Sequence, residues 1–311
     1  MQRHVLQHDG IEREYFVHVP GQDGGGVMPL VVALHGYGGV VESFERGYAL
    51  NRHSDDNGYI IVYPQGSSFE AELSTQWPST ITSWNDLAAN IPKPEAGPHC
   101  TGDSVRYPCP PECGECSACM WTSCYDDVGF IDRMLDEIIA GYPVDVERVY
   151  LLGMSNGGMM TLRLGCDVSS RFAAVAPIGG QLAPGHVCGP DVDVPMLHLA
   201  GGQDEVVRPD GKAGAADGFI YTSVAETTAV WANALACEVG PADWKTALPV
   251  AATMECSAYT SCRVPGHEVV SCIDPEVGHQ WPGQDDGSDR GMDLVWSFFE
   301  RYRSAGADSL E

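Results

Sequence analysis

Val149-Tyr-Leu-Leu-Gly-Met-Ser155-Asn-Gly-Gly-Met-Met-Thr-Leu-Arg-Leu164 passes from an apolar run, through a serine flanked by glycines, into a segment of helical character. Val149 to Leu152 is unbroken apolar sequence, the pattern of a strand buried on both faces. Gly157 to Leu164 reads as a helix. Between them Gly153-Met154-Ser155-Asn156-Gly157 fits G-x-S-x-G, and strand–turn–helix is the setting in which that motif forms a nucleophile elbow. The sharp turn crowds neighbouring side chains against Ser155, so small residues must flank it if its hydroxyl is to project from the sheet edge. The pentapeptide alone also arises by chance in ordinary strand–helix turns. Its flanks select the functional reading.

Working outward, strand-like runs and helical stretches alternate, which predicts a mainly parallel sheet covered by helices on both faces. Arg13 to Val19 alternates like an exposed strand. Leu30 to Leu34, Tyr59 to Tyr63, Ala173 to Ala176 and Met196 to Leu199 read as further strands, and so does Glu268 to Ile273. Asp126 to Ala140 repeats Val128, Ile131, Leu135, Ile138 and Ile139 at helical spacing. Ala225 to Leu235 and Met292 to Tyr302 read as helices, and no internal repeat is visible. From about Gln65 to Cys124 the alternation stops: prolines are frequent and six cysteines fall in the segment. A stretch this long without periodicity tends to be functional or separately stapled. It is expected to be an insertion over the active edge of a single domain spanning 1–311.

A serine hydroxyl needs a base. Of ten histidines, His279 in Gly278-His279-Gln280-Trp281-Pro282-Gly283 is best placed, in a loop after the last predicted strand and before the last helix. His267 is the rival, but it precedes that strand and so falls at the wrong end of the sheet. The acid should follow the strand Met196 to Leu199, where Gly201-Gly202-Gln203-Asp204 makes a turn; Glu205 and Asp210 are the fallbacks. Ser155, Asp204 and His279 then stand in the order nucleophile, acid, base. His35-Gly36-Tyr37-Gly38-Gly39 follows Leu30 to Leu34 and is positioned to supply an oxyanion hole, with the amides of Tyr37 and Asn156 as donors.

The 311 residues carry 17 basic and 43 acidic side chains, a formal net charge of −26. That field repels phosphate backbones and anionic lipid, which argues against nucleic acid and membrane partners. No run approaches the roughly 18 apolar residues of a membrane span. Only Lys93, Lys212 and Lys245 are lysines, a pattern that suits high salt and equally suits a genome favouring arginine codons. Twelve cysteines are many for a cytosolic enzyme and point to an oxidising compartment, periplasmic or extracellular. Met1-Gln2-Arg3-His4 has no apolar signal core, so a signal peptide is expected to have been removed ahead of it. Leu310-Glu311 reads as a cloning scar.

Cys100, Cys109, Cys113, Cys116, Cys119 and Cys124 include C-x2-C spacings that would suit zinc. Their irregular run and the oxidising context favour disulfides of undetermined connectivity.

The motifs around Gly36, Ser155, Asp204 and His279, with Asp9-Gly-Ile-Glu-Arg-Glu-Tyr-Phe-Val-His-Val-Pro at the start, resemble the secreted esterases grouped with polyhydroxybutyrate depolymerases and bacterial feruloyl esterases. The resemblance spans nearly the whole chain, and the cysteine-rich insertion is its main departure. It implies an α/β-hydrolase fold, a secreted monomeric serine esterase without metal or cofactor, and an ester substrate attached to or forming a polymer. It also implies the pairs Cys166–Cys188 and Cys237–Cys262, with Cys256–Cys272 left as a third. Asn156-Gly157-Gly158 is more similar to the feruloyl and acetyl esterase branch, which makes aromatic ester hydrolysis the first expectation. Polyhydroxyalkanoate or aromatic polyester cleavage is the second, and a non-catalytic binding module on the same fold a remote third. Of Trp77, Trp84, Tyr107, Trp121 and Tyr125, two or three are expected in a small satellite core; at least one, with Trp84 and Trp121 as first candidates, is expected to line an apolar acyl cleft together with Tyr37 and Trp281.

Overall fold

The computed structural model describes residues 1–21, 25–70, 80–87, 107, 121–246, 248, 253–283 and 289–304. Among these, the strands are β1 (Gln2–His8), β2 (Ile11–His18), β3 (Met28–Leu34), β4 (Ile60–Pro64), β5 (Ser67–Glu70), β6 (Thr80–Ser83), β7 (Val144–Met154), β8 (Ala174–Ile178), β9 (Met196–Gly201), β10 (Val239–Asp243), β11 (Glu255–Thr260) and β12 (Val269–Asp274). The helices are α1 (Val41–Tyr48), α2 (Leu50–Asn57), α3 (Asp127–Gly141), α4 (Asn156–Asp167), α5 (Val224–Ala234) and α6 (Arg290–Phe299). No helix among the described residues is long and apolar enough to cross a membrane.

One large sheet runs β1-β2-β4-β3-β7-β8-β9-β12-β11-β10, and β5 pairs with β6 as a separate hairpin. From β4 through to β12 every pairing is parallel, while the strands outside them are antiparallel. This is the α/β-hydrolase architecture. β3 lies between β4 and β7, so the chain reverses its direction across the sheet there, and the crevice beyond the carboxyl ends of β3 and β7 is where such sheets place ligands.

The central strands bury both faces, so their side chains split by parity. Leu30, Val32 and Leu34 of β3 and Val149 and Leu151 of β7 join Phe130, Ile131, Met134, Leu135 and Ile138 of α3 and Trp231 of α5. Val31, Ala33, Tyr150 and Leu152 face the other way, onto Val41 and Phe44 of α1 and Leu294, Val295, Phe298 and Phe299 of α6. An apolar run without alternation is the signature of that double burial.

The elements absent from the sequence reading are short α1, the β5–β6 hairpin inside the expected insertion, and elements with little apolar area. β10 is exposed at all five positions, β1 buries only Leu6, and α2 buries only Leu50, His53 and Ser54. Periodicity leaves no mark on such edges.

Three disulfides join Cys166 to Cys188, Cys237 to Cys262 and Cys256 to Cys272, the last across adjacent β11 and β12. Cys124 is also disulfide-bonded. Cys100, Cys109, Cys113, Cys116 and Cys119, and most of the expected insertion, lie outside the described residues. Its two described ends are fastened at a buried ion pair. Arg13 on β2 meets Asp127 at 2.6 Å, and the other Asp127 oxygen accepts from the Asn85 amide at 2.6 Å and from Ser123 Oγ at 3.0 Å.

Candidate active site

Ser155 caps α4 directly after β7, with φ 57° and ψ −122°. A non-glycine residue held at positive φ is strained, and such strain persists only where surrounding bonds over-determine it. Here the Ser155 amide donates to the Ile178 carbonyl at 2.8 Å, and its carbonyl accepts from the Met159 amide at 2.9 Å. The flanking glycines follow from close approach. A Cβ on Gly157 would strike the carbonyls of Leu34 and His35, and one on Gly153 would strike the carbonyl of Gly157.

His279 lies in the loop after β12, and its Nε2 is 2.9 Å from Ser155 Oγ. Its Nδ1 is 2.6 Å from Asp204 Oδ2. Asp204, in the turn after β9, is 3% exposed, and its Oδ1 accepts the amides of Val206 and Val207 at 2.8 Å each. A carboxylate accepts, so the imidazole proton sits on Nδ1 and Nε2 is left free to accept the serine proton. The fallback acids are engaged elsewhere. Glu205 is exposed, and Asp210 is held by Arg208 and Lys212, which push its carboxyl well below the usual range. His267 packs edge-on against Tyr302.

The turn after β3 is braced by His35, the first residue of its motif, in a role that the sequence did not reveal. His35 Nε2 accepts from the Gly66 amide and from Gln65 Nε2, each at 2.9 Å, so its proton is on Nδ1 and is donated to the Gly36 carbonyl at 2.8 Å. Burial pushes this imidazole down to about 4, which keeps it neutral and its tautomer fixed. Trp84 Nε1 donates to the His35 carbonyl at 2.8 Å, and the Gly38 amide donates to the Thr82 carbonyl at 2.8 Å. The Tyr37 amide therefore sits in a turn tied to β6. Asn156 is the first residue of α4, where backbone N–H groups have no partner within the helix.

An aromatic cluster adjoins these residues: Trp121, Met159, Val207, Phe219 and Tyr221, with Tyr37 and Tyr107 packed against it. Met159 is one helical turn beyond Ser155, and Val207 is a backbone donor to Asp204. Two of the three tryptophans expected in the cleft are elsewhere. Trp84 and Trp281 are both 0% exposed. Trp84 belongs to the core beneath α3, and the turn that aims His279 at Ser155 sends Trp281 inward against Tyr48 and the α6 face. Only Trp121 joins the cluster beside the nucleophile. Trp77 lies outside the described residues.

The motif places Asn156 but says nothing of its buried side chain, and His198 and Asp217 are further buried polar groups that no spacing rule marks.

No protein-family model matches the chain. NocK, an inferred esterase of Nocardia uniformis subsp. tsuyamanensis, is 31% identical over 267 residues, 82% of this chain and 66% of NocK. Feruloyl esterase B of Piromyces equi is 25% identical over 204 residues, 64% of this chain and 30% of its own length. The chain thus spans less than two thirds of the curated relatives it matches. Among solved structures, an acetyl xylan esterase from Aspergillus awamori superposes with a TM-score of 0.60 at 16% identity, over 96% of this chain and all of that one, a likeness of fold. The chain has the α/β-hydrolase fold and is similar in sequence to esterases.

Proposed function

We propose that the protein is a serine carboxylic ester hydrolase that works through an acyl-enzyme on Ser155. The observation that carries this reading is the unbroken line Asp204–His279–Ser155, at 2.6 and 2.9 Å. His279 Nε2 takes the hydroxyl proton as Ser155 Oγ attacks the ester carbonyl, and Asp204 stabilises the imidazolium. The amides of Tyr37 and Asn156 receive the developing oxyanion. His279 then returns the proton to the leaving alcohol, and water repeats the sequence on the acyl-enzyme.

The substrate class we assign is an aromatic, feruloyl-type ester, including esters attached to a polymer. It rests on the aromatic cluster beside Ser155, with Trp121 and Tyr37 at 5.6 Å between ring centroids, and on the feruloyl esterase name of a sequence relative. Offset and edge-on rings favour flat acyl groups by about 0.5–1.5 kcal/mol beyond area burial. Disulfides at three described pairs suit an extracellular or periplasmic site of action. The test is a panel of methyl ferulate, methyl butyrate, p-nitrophenyl acetate and polyhydroxybutyrate film. Higher kcat/KM for methyl ferulate than for methyl butyrate is expected. Brisk butyrate and polyhydroxybutyrate cleavage with idle ferulate would replace aromatic esters by aliphatic polyesters.

A further inference from the structure

His198 stands in the middle of β9, fully buried, on a strand that is otherwise apolar from Met196 to Ala200. A carbonyl accepts, so its ring proton sits on Nε2, which donates to the Gly180 carbonyl at 2.8 Å. Nδ1 is buried as well and has no hydrogen-bond partner among the described residues. A buried polar atom left without a partner is costly. A leucine at 198 would share the face of Met196 with nothing to satisfy. With histidine the strand carries an unsatisfied atom and gains one hydrogen bond, which lands beside the nucleophile.

Gly180 belongs to the turn Gly179-Gly180-Gln181 that leaves β8. Ile178, just before it, accepts the Ser155 amide at 2.8 Å, and the Gly179 amide donates to the Leu199 carbonyl at 2.8 Å. A Cβ on Gly180 would lie 2.6 Å from the Ser155 carbonyl oxygen and 2.7 Å from the Met159 amide, and one on Gly179 would lie 3.7 Å from His279 Cε1. The turn thus seats the backbone of the nucleophile and borders the ring of the base. Further on, the Leu182 amide donates to Thr227 Oγ1 at 3.3 Å and its carbonyl accepts the Thr222 amide at 3.0 Å. Between these anchors, His198 is the one donor among the described residues that reaches the Gly180 carbonyl.

His198 is not itself a reacting group. Its Nε2 is committed to Gly180, and burial pushes the imidazole down to about 4, which keeps it neutral. What it can do is hold backbone. Gly179 and Gly180 bring no side chains to pack, and glycine is the most conformationally free of residues. Ser155, at φ 57°, keeps its strained backbone only while its surroundings over-determine it. Loss of the Gly180 anchor frees the turn against which that backbone is set.

We propose that His198 is a positioning residue of the esterase reaction: through the Gly180 carbonyl it fixes the turn that seats Ser155 and borders His279, so that nucleophile and base keep their alignment. This role rests on the Ser155 acyl-enzyme reading above.

Diethyl p-nitrophenyl phosphate counts reactive serines: Ser155 Oγ bonds to phosphorus and p-nitrophenolate leaves. On p-nitrophenyl acetate, His198→Leu should lower kcat per titrated serine by about 10- to 100-fold with little change in KM, the loss expected of a slightly misplaced reacting group. Phosphorylation of Ser155 should slow in parallel. His198→Gln places an amide N–H where Nε2 stood and should recover most of the rate, whereas His198→Asn ends short of Gly180 and should not. A merely structural role would lower the urea midpoint and leave kcat per titrated serine unchanged. Should His198→Leu fail to fold, the Gln and Asn variants decide. Wild-type kcat and phosphorylation in folded His198→Leu or His198→Asn, or a Gln variant no faster than the Asn one, would overturn the proposal and leave the esterase reading intact. Ester turnover by the wild type without phosphorylation of Ser155 would overturn the Ser155 reading, and this proposal with it.

Discussion

Asn156, the residue after the nucleophile, grips the backbone of Trp84 with both ends of its side-chain amide: Oδ1 accepts the Trp84 N–H at 2.8 Å and Nδ2 donates to the Trp84 carbonyl at 3.2 Å. Nδ2 also meets Asp86 Oδ2 at 3.0 Å, and Oδ1 meets Ser83 Oγ at 3.1 Å. The segment entering the cysteine-rich region is thereby fastened to the elbow itself, and through Trp84 Nε1 to the turn holding Tyr37. Asn156→Ala should cost about 1–3 kcal/mol in urea unfolding, since the buried Trp84 N–H loses its acceptor while the Trp84 carbonyl keeps the Asp86 and Ser123 amides. The backbone N–H of residue 156 survives the change. A drop in kcat beyond that seen in stability-matched core variants would report displacement of the Tyr37 turn, and an unchanged urea midpoint would contradict the clamp.

Asp127 should prove a larger structural liability than any surface acid. Its partner Arg13 is 3% exposed, and the guanidinium lies over the Phe130 ring at 4.0 Å. Asp127→Ala strands that charge and the Asn85 amide together, so a loss of about 3–5 kcal/mol is expected. Asp210→Asn, at the half-exposed cluster with Arg208 and Lys212, should cost under about 1 kcal/mol. Equal effects of the two changes in chemical denaturation would count against the buried tie.

Much of this site was legible in the chain, and the reason is physical. Ser155, Asp204 and His279 each follow a strand buried on both faces, and such strands announce themselves as apolar runs. What stayed hidden depends on contacts between segments far apart in sequence. Nothing near Asn156 marks its side chain as a clamp, because its partners arrive from Ser83 at the end of β6 and from Trp84 and Asp86 just after it. Asp217 is one aspartate among many acidic residues, and only its burial distinguishes it. Trp281 was misplaced because proximity to His279 in sequence does not fix which way a side chain leaves a turn. β1, β5, β6, β10, β11 and α2 were missed because their few buried residues leave little period to read, and α1 because eight residues are too short for Val41, Phe44 and Tyr48 to show as a repeat.

His35 and His198 should make the fold sensitive to mild acid. Burial pushes each imidazole down to about 4, against about 6.5 in an unfolded chain. Protons therefore bind the unfolded state first. The stability these neutral rings contribute is complete above pH 6.5, declines as pH falls from 6.5 towards 4, and is fully lost below that. A shift of this size corresponds to roughly 3 kcal/mol per ring. Carboxylate protonation relieves self-repulsion over the same range, so a comparison of variants isolates the effect. His198→Gln should lower stability at pH 7 and flatten its fall between pH 6.5 and 4 relative to wild type. Parallel profiles for the two proteins would show that His198 is not the proton acceptor.

The choice of acid is tested by isosteric amides. Asp204→Asn should lower kcat by about 10⁴, because the imidazole loses the acceptor that fixes its tautomer. Glu205→Gln and Asp210→Asn should remain within a few-fold of wild type. A crippled Asp210→Asn would move the acid without changing the reaction class.

The central claim is that Ser155 and His279 act as one unit. The most direct measurement is kcat on p-nitrophenyl acetate for Ser155→Ala, His279→Ala and the double variant, with folding checked by circular dichroism. Each single change should lower kcat by at least about 10⁴, and the double variant should be little worse than either, as expected of residues that share one step. Wild-type-like turnover in folded Ser155→Ala would contradict the account.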